Sequence, residues 1–191
     1  MGTVLIKKPV IDPRYAFFNL AIRESKIHRR GVYALERIPA RRKVIEYTGE
    51  KISRRETKRR GDGDITYLFT LDDYWTLDGA FGGSGAEIIN HSCEPNAFLR
   101  DREMVALTCI EPWQQITFNY NTTEYDMAQP FACQCGSRSC AGEIRGYRWL
   151  SAAEKSRLRP FTAAHLTSAG TGGAGTADEP ALRLPQARPC R

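Results

Sequence analysis

The side chains best suited to chemistry stand together in residues 90–96, Asn-His-Ser-Cys-Glu-Pro-Asn, directly after the apolar pair Ile88 and Ile89. A carboxamide, an imidazole, a hydroxyl and a thiol clustered after an apolar approach indicate a site. Alone, the heptapeptide is more typical of a turn at a strand end, because Asn, Ser and Pro-Asn are ordinary turn residues. The partners further along the chain favour the site.

A second group of reactive side chains is a Cys-x-Cys-x4-Cys cluster, and Cys93 in the first stretch brings the number of thiols to four. Four thiolates are what a closed structural zinc site requires. Three disulfides are the alternative for six cysteines, but the first two thiols of the cluster are too close to pair comfortably with each other. We therefore predict one structural zinc ion. Its ligands are Cys93, Cys133, Cys135 and Cys140.

Between the two groups lies an apolar strand, residues 116–120, with a phenol at its end. The order and spacing of all these pieces resemble a SET-domain protein lysine methyltransferase with a cysteine-rich post-SET segment. The resemblance covers roughly residues 15–146 and uses motifs at residues 25–28, 46–50, 67–69, 90–96 and 117–120. It implies transfer of a methyl group from S-adenosylmethionine to a lysine of a basic, histone-like protein.

The resemblance also implies roles for single residues. Tyr120 matches the family's catalytic tyrosine, and Tyr67 would line the junction of cofactor pocket and lysine channel. Phe118 would wall the channel beside Tyr120, and Phe instead of Tyr at this position implies di- or trimethylation. The implied S-adenosylmethionine contacts are Arg29, Arg30, Gly31, Tyr67, Asn90, His91 and Tyr120, with Phe131 and Ile144 covering the cofactor.

Methyl transfer is an in-line displacement, so the protein must hold two reactants collinear and present the amine unprotonated. A free lysine has a pKa of about 10.4. Burial in an apolar channel beside a cationic sulfonium disfavours the ammonium form, which lets the proton leave to solvent before transfer.

Three residues depart from the family pattern. Arg29 stands where the family usually has Gly, so either the backbone there needs no left-handed residue or cofactor affinity is reduced. Glu87 replaces a common Arg, and Trp113 replaces the Gly of a Gly-Glu-Glu turn. None of these changes touches Tyr120 or a cysteine.

Two other classes of protein compete with the enzyme. One is a SET-like interaction module that holds zinc and cofactor with little or no turnover, for which Arg29 is the best support. The other is a zinc-ribbon nucleic-acid binder, which leaves Asn90, His91 and Tyr120 unexplained.

Charge gives weaker information. Lys plus Arg number 28 against 22 Asp plus Glu, a net charge of +6, which is as typical of solubility as of an anionic partner. Residues 61–99 hold seven acids without Lys or Arg, an arrangement suited to a cationic substrate. The basic helix predicted at residues 54–60 has no interleaved aromatic residues, so we expect no direct nucleic-acid binding.

Neither a signal segment nor a run of about 18 apolar residues that could span a bilayer is found. We expect an intracellular, soluble monomer, cytoplasmic or, in a eukaryote, nuclear.

Short apolar bursts separated by turn residues predict a mostly β fold. The predicted strands include residues 4–6 and 105–110, and residues 65–71 and 74–77 are expected to form a hairpin around Asp72 and Asp73. Ser53 with Glu56, and Ser151 with Glu154, are capping boxes that predict two short helices. The resemblance implies a SET fold of several short curved sheets with a pseudoknot and a small cysteine-rich zinc lid. The predicted division is a SET domain at 1–128, a post-SET segment at 129–146, a short helix at 147–161 and a disordered tail at 162–191.

Overall fold

The computed structural model describes residues 9–61 and 67–168. Strands of two to five residues form several small sheets, and the helices are short, which confirms the mostly β prediction. The strands are β1 Leu20–Glu24, β2 Arg30–Ala34, β3 Lys43–Glu46, β4 Glu50–Ser53, β5 Leu68–Thr70, β6 Trp75–Asp78, β7 Asn90–His91, β8 Ala97–Arg100, β9 Glu103–Ala106, β10 Thr117–Phe118, β11 Phe131–Ala132 and β12 Glu143–Ile144. The α-helices are α1 Arg54–Arg60, α2 Ala152–Leu158 and α3 Ala164–Ser168.

The sheet β3-β9-β8 forms the centre of the hydrophobic core. Its strands are antiparallel, with Leu99 opposite Met104 and Met104 opposite Ile45. All three side chains are buried. The sequence predicted that the last strand would extend to Ile110, but β9 ends at Ala106 because the next two backbone N–H groups bond to Asn96. Cys109 therefore lies beyond the strand and is half-buried.

A second antiparallel sheet, β4-β6-β5, carries α1. Ser53 caps the helix at the predicted start by accepting a hydrogen bond from the Glu56 backbone. The predicted capping box is incomplete, because the Glu56 carboxylate bonds Arg59 and Arg60 instead of the Ser53 backbone. Arg60 at the other end of α1 fixes the helix to the sheet. Its guanidinium bonds the buried carboxylate of Asp78 at 2.7 Å and the exposed carboxylate of Glu50 at 2.7 Å. The predicted hairpin around Asp72 is also present, although residues 65 and 66 lie outside the described part.

The pair β1-β2 and the parallel pair β7-β10 complete the part of the fold that positions the site. In the parallel pair Asn90 lies opposite Thr117, and His91 lies opposite Phe118. This register brings the polar stretch at residues 90–96 beside the strand that leads into Tyr120.

The carboxy-terminal part corrects one prediction. Ser151 and Glu154 form the predicted capping box of α2, but α3 begins inside the segment predicted to be disordered. Leu166 of α3 is buried, and the His165 ring contacts the Thr123 carbonyl at 3.2 Å. The buried Leu166 side chain packs α3 against the domain, which the composition of this segment does not indicate. The rest of the predicted tail, and the strand predicted at residues 4–6, lie outside the described residues.

No helix within residues 9–61 and 67–168 is long and apolar enough to cross a membrane.

Candidate active site and metal centre

A cavity of about 1010 Å³ lies between the β7-β10 pair, the hairpin strand β5 and the segment that leads into the cysteine cluster. It brings together side chains that are far apart in sequence. The predicted site residues that line it are Arg29, Arg30, Tyr67, Asn90, His91, Phe118, Tyr120 and Phe131, together with the predicted metal ligand Cys133.

Tyr120 is held at both ends. It begins a 3-10 turn, Tyr120–Thr122, directly after β10. Its backbone N–H donates to His91 Nδ1 at 3.1 Å, and its hydroxyl donates to the Ile89 carbonyl at 2.8 Å. Burial raises the pKa of the Tyr120 phenol. The side chain is therefore a neutral phenol whose oxygen keeps its lone pairs for a group in the cavity.

Aromatic rings surround the Tyr120 ring. Phe118 lies 4.8 Å from it between centroids, His91 lies 5.4 Å away and Phe131 lies 6.1 Å away. Burial also lowers the pKa of His91 to about 4, so this ring is neutral near pH 7. The walls around the phenol are thus uncharged.

Asn90 ties the amino-terminal loop to the cavity. Its amide donates to the carbonyls of His28 at 3.2 Å and of Arg30 at 2.9 Å. Between them Arg29 has φ +42°, a left-handed conformation that favours glycine. The sequence left two alternatives for Arg29, a backbone that needs no left-handed residue or a reduced cofactor affinity. The value of φ excludes the first. Trp113 has φ +66°, so it too keeps a backbone conformation that suits the family's Gly.

Two predicted cofactor residues do not line the cavity that the described residues enclose. A Cβ at Gly31 would lie 2.2 Å from the Gln115 side-chain nitrogen, so the absence of a side chain there makes room for Gln115. Ile144 is fully buried opposite Phe131 in the β11-β12 pair. The direct contact of Gly31 and Ile144 with the cofactor therefore stays a prediction.

The four predicted metal ligands do meet. The Sγ atoms of Cys93, Cys133, Cys135 and Cys140 all lie within 4.8 Å of one another. Tetrahedral zinc with Zn–S distances of about 2.3 Å requires sulfur atoms about 3.8 Å apart, and Cys93 and Cys133 are separated by 3.9 Å. This donor set could hold one metal ion.

Carboxylates in the cavity were not predicted as site residues. Glu124 lines it, and burial raises its pKa to about 7. Its backbone N–H donates to the Tyr120 carbonyl at 3.0 Å. The sequence signal that could have indicated Glu124 was its position four residues after Tyr120, the spacing of neighbours on a helical turn. Glu87 also lines the cavity with a raised pKa, again through burial.

A further unpredicted residue supports the cavity wall. Tyr47 donates its hydroxyl hydrogen to the Tyr67 carbonyl at 2.7 Å, which fixes the backbone of a predicted channel residue. The motif at residues 46–50 contributed to the resemblance, but nothing in its pattern indicated this contact.

The acidic stretch at residues 61–99 does not form one surface. Asp78 is buried against Arg60, Asp72 accepts backbone hydrogen bonds within its hairpin, and Glu94 accepts from Ser139. Of the acids described in this stretch, only Glu87 lines the cavity. Asp62 and Asp64 lie outside the described residues.

The small sheets, the cavity closed around Tyr120 and the adjoining thiol cluster define a SET domain with a cysteine-rich segment after it. Comparison with known families agrees, since residues 29–121 match the SET domain family model. Residues 29–121 thus form a SET domain.

Its relatives include histone-lysine N-methyltransferase TRX1 of Oryza sativa subsp. japonica, which is 35% identical in an alignment of 140 residues; the match covers 65% of this chain and 14% of that protein. Human histone-lysine N-methyltransferase 2B is 34% identical over 63% of this chain and 5% of its own length. An Aspergillus oryzae histone-lysine N-methyltransferase, H3 lysine-4 specific, is 35% identical over 71% of this chain and 12% of its own. The chain spans only a small part of these relatives.

Proposed function

We propose that the protein transfers methyl groups from S-adenosylmethionine to a lysine side chain of a basic protein. The observation that carries this proposal is the state of Tyr120, a neutral phenol in the cavity whose hydroxyl hydrogen is already donated to Ile89 at 2.8 Å. Relatives are named as histone-lysine N-methyltransferases, which makes a histone the first substrate to test.

The Tyr120 oxygen orients the amine. Since its hydrogen is held by the Ile89 carbonyl, the oxygen can only accept, and an amine N–H is the natural donor. The raised pKa of the phenol means that Tyr120 does not act as the base at neutral pH. The proton of the lysine ammonium therefore leaves to solvent before transfer.

The aromatic walls favour that loss. Phe118 is 7% exposed and lies against the Tyr120 ring, so a lysine side chain beside the two rings would be largely desolvated. Desolvation disfavours an ammonium relative to a neutral amine.

S-adenosylmethionine, when bound, supplies a methyl group on a cationic sulfonium. Arg29, Arg30, Asn90 and His91 would hold it, with Phe131 against it and Tyr67 at the junction with the channel. Arg29 and Arg30 offer cations to the carboxylate of the methionine part. The thiol cluster would hold one zinc ion, which fixes the segment that carries Phe131 because Cys133 follows only two residues later.

The degree of methylation follows from Phe118. Its ring lines the cavity beside Tyr120 and has no hydroxyl to hold a water there. A methylated amine can then rotate its methyl group away from the donor for a second transfer. We propose di- or trimethylation.

The experiment is incubation of zinc-loaded protein with methyl-labelled S-adenosylmethionine and core histones, followed by mass spectrometry of the products. Tyr120→Phe is the matched variant, because it keeps the ring and removes only the oxygen. We expect its turnover to be lower by about 10² or more, with cofactor binding kept. Cofactor binding by the unmutated protein without methylation of any basic protein would contradict the enzyme and favour the interaction module.

A further inference from the structure

His91 contacts both the thiol cluster and the backbone of Tyr120. The ring is 2% exposed. Its Nδ1 lies 3.1 Å from the Tyr120 backbone nitrogen, and its Nε2 lies 3.2 Å from Cys93 Sγ. Among the described residues, His91 alone is hydrogen-bonded both to one of the four cysteines and to Tyr120.

The direction of both hydrogen bonds follows from one fact. A backbone N–H can only donate, so Nδ1 must accept from Tyr120 and carries no hydrogen. In a neutral imidazole the hydrogen then resides on Nε2. Nε2 therefore donates to Cys93 Sγ, which is the acceptor.

Cys93 Sγ accepts a second hydrogen bond as well. Besides the His91 contact, the Ala141 backbone N–H donates to it at 3.4 Å. Two N–H donors thus converge on one buried sulfur, as outer-shell donors do on the ligands of a metal site.

The Tyr120 backbone N–H needs the His91 ring as its hydrogen-bond acceptor. Tyr120 is the first residue of a 3-10 turn, where backbone N–H groups have no partner within the turn. The Asn119 side chain caps the turn, but it accepts from Asn121 and not from Tyr120. His91 Nδ1 is thus the acceptor that satisfies the Tyr120 N–H.

We infer that the His91 side chain is a positioning residue that ties the backbone of Tyr120 to the Sγ atom of Cys93, so that metal occupancy and the placement of the phenol depend on each other. The role in turnover rests on the proposed methyl transfer. The hydrogen-bond chain itself does not, and it can be tested without activity.

Two substitutions separate the two hydrogen bonds of His91. In His91→Asn the amide oxygen can take the place of Nδ1 but no donor reaches Cys93. In His91→Gln the amide nitrogen can take the place of Nε2 but no acceptor reaches Tyr120. His165→Ala is the control. His165 contacts the carbonyl of Thr123, three residues after Tyr120, but it belongs to α3 and not to the thiol cluster.

Each variant has its own expected readout in the holoprotein. His91→Asn should lose zinc to a chromophoric chelator with about 10-fold to 100-fold weaker affinity. Its cobalt-substituted form should show a thiolate charge-transfer band at longer wavelength, since a sulfur without the N–H donor is more electron-rich. His91→Gln should keep zinc affinity and the band but lose about tenfold in kcat. His165→Ala should match the unmutated protein in metal affinity and band.

The tautomer provides a test that requires no variant. In protein labelled with ¹⁵N-histidine, His91 should show a hydrogen on Nε2 and none on Nδ1 when zinc is bound. A hydrogen on Nδ1 would overturn the inference even if the substituted proteins fail to fold. So would unchanged zinc affinity and cobalt band in His91→Asn. If the zinc-loaded protein methylated no basic protein, the proposed function would fail while the tautomer and the metal measurements still decided the hydrogen-bond chain.

Discussion

Replacing Arg29 by Gly should stabilise the protein relative to replacing it by Ala. Arg29 has φ +42°, and the loop is closed by the Ser25 backbone N–H donating to the Arg29 carbonyl at 3.0 Å. A residue with a Cβ costs about 1–2 kcal/mol in this left-handed conformation. Gly loses about 0.5–1 kcal/mol more backbone entropy on folding. The difference leaves about 0.5–1 kcal/mol in favour of Gly.

Arg29→Ala is the matched control because it removes the same exposed guanidinium and keeps the Cβ. For a chain of this size, about 1 kcal/mol shifts Tm by roughly 2–4 °C. We therefore expect Arg29→Gly to melt about 1–4 °C above Arg29→Ala in thermal denaturation followed by circular dichroism. Urea unfolding should give the same order of midpoints, with an unchanged m-value.

Equal melting temperatures of the Gly and Ala variants would refute the strain argument. A lower temperature for the Gly variant would do so more strongly. In either case the Arg29 conformation would be relaxed, and the departure from the family's Gly would have no energetic consequence.

Three further predictions follow from the same geometry. Trp113 has φ +66°, so Trp113→Gly should be about 0.5–1 kcal/mol more stable to urea than Trp113→Ala, while both lose the Arg23 stacking at 4.8 Å. Burial raises the pKa of Glu124 from 4.5 to about 7, so the folded protein keeps a proton that the unfolded chain releases, and stability falls as pH rises through this window. Glu124→Gln should remove that fall, measured as the difference between the free energies of unfolding from urea titrations at pH 5 and at pH 8. An equal difference in both proteins would contradict the assignment. Phe118→Tyr should shift products toward monomethyl-lysine in mass spectra, whereas only monomethylation by the unmutated enzyme at long times would refute the role of Phe118.

The sequence by itself determined the parts that depend on residue type and local spacing. Thiols spaced as in Cys133, Cys135 and Cys140 predict a metal centre wherever they lie, because so few side chains bind soft metal ions. Ser53 and Ser151 predicted the starts of two helices, since a cap acts within one turn of chain. The stretch around Asn90 and the strand before Tyr120 were recognised as parts of one site from their order in the chain.

Only the tertiary structure decided which side chains surround the phenol and with what charge. Glu124 looks like an ordinary surface acid in the sequence, and its raised pKa arises because the fold buries it in the cavity wall. The acidic stretch suggested a substrate surface, yet Asp78 is used internally against Arg60. Likewise, the strain at Arg29 depends on φ, which the loop closure fixes and no residue type reveals. Burial, long-range pairing and backbone conformation are set by contacts between distant segments, so they cannot be derived from local pattern.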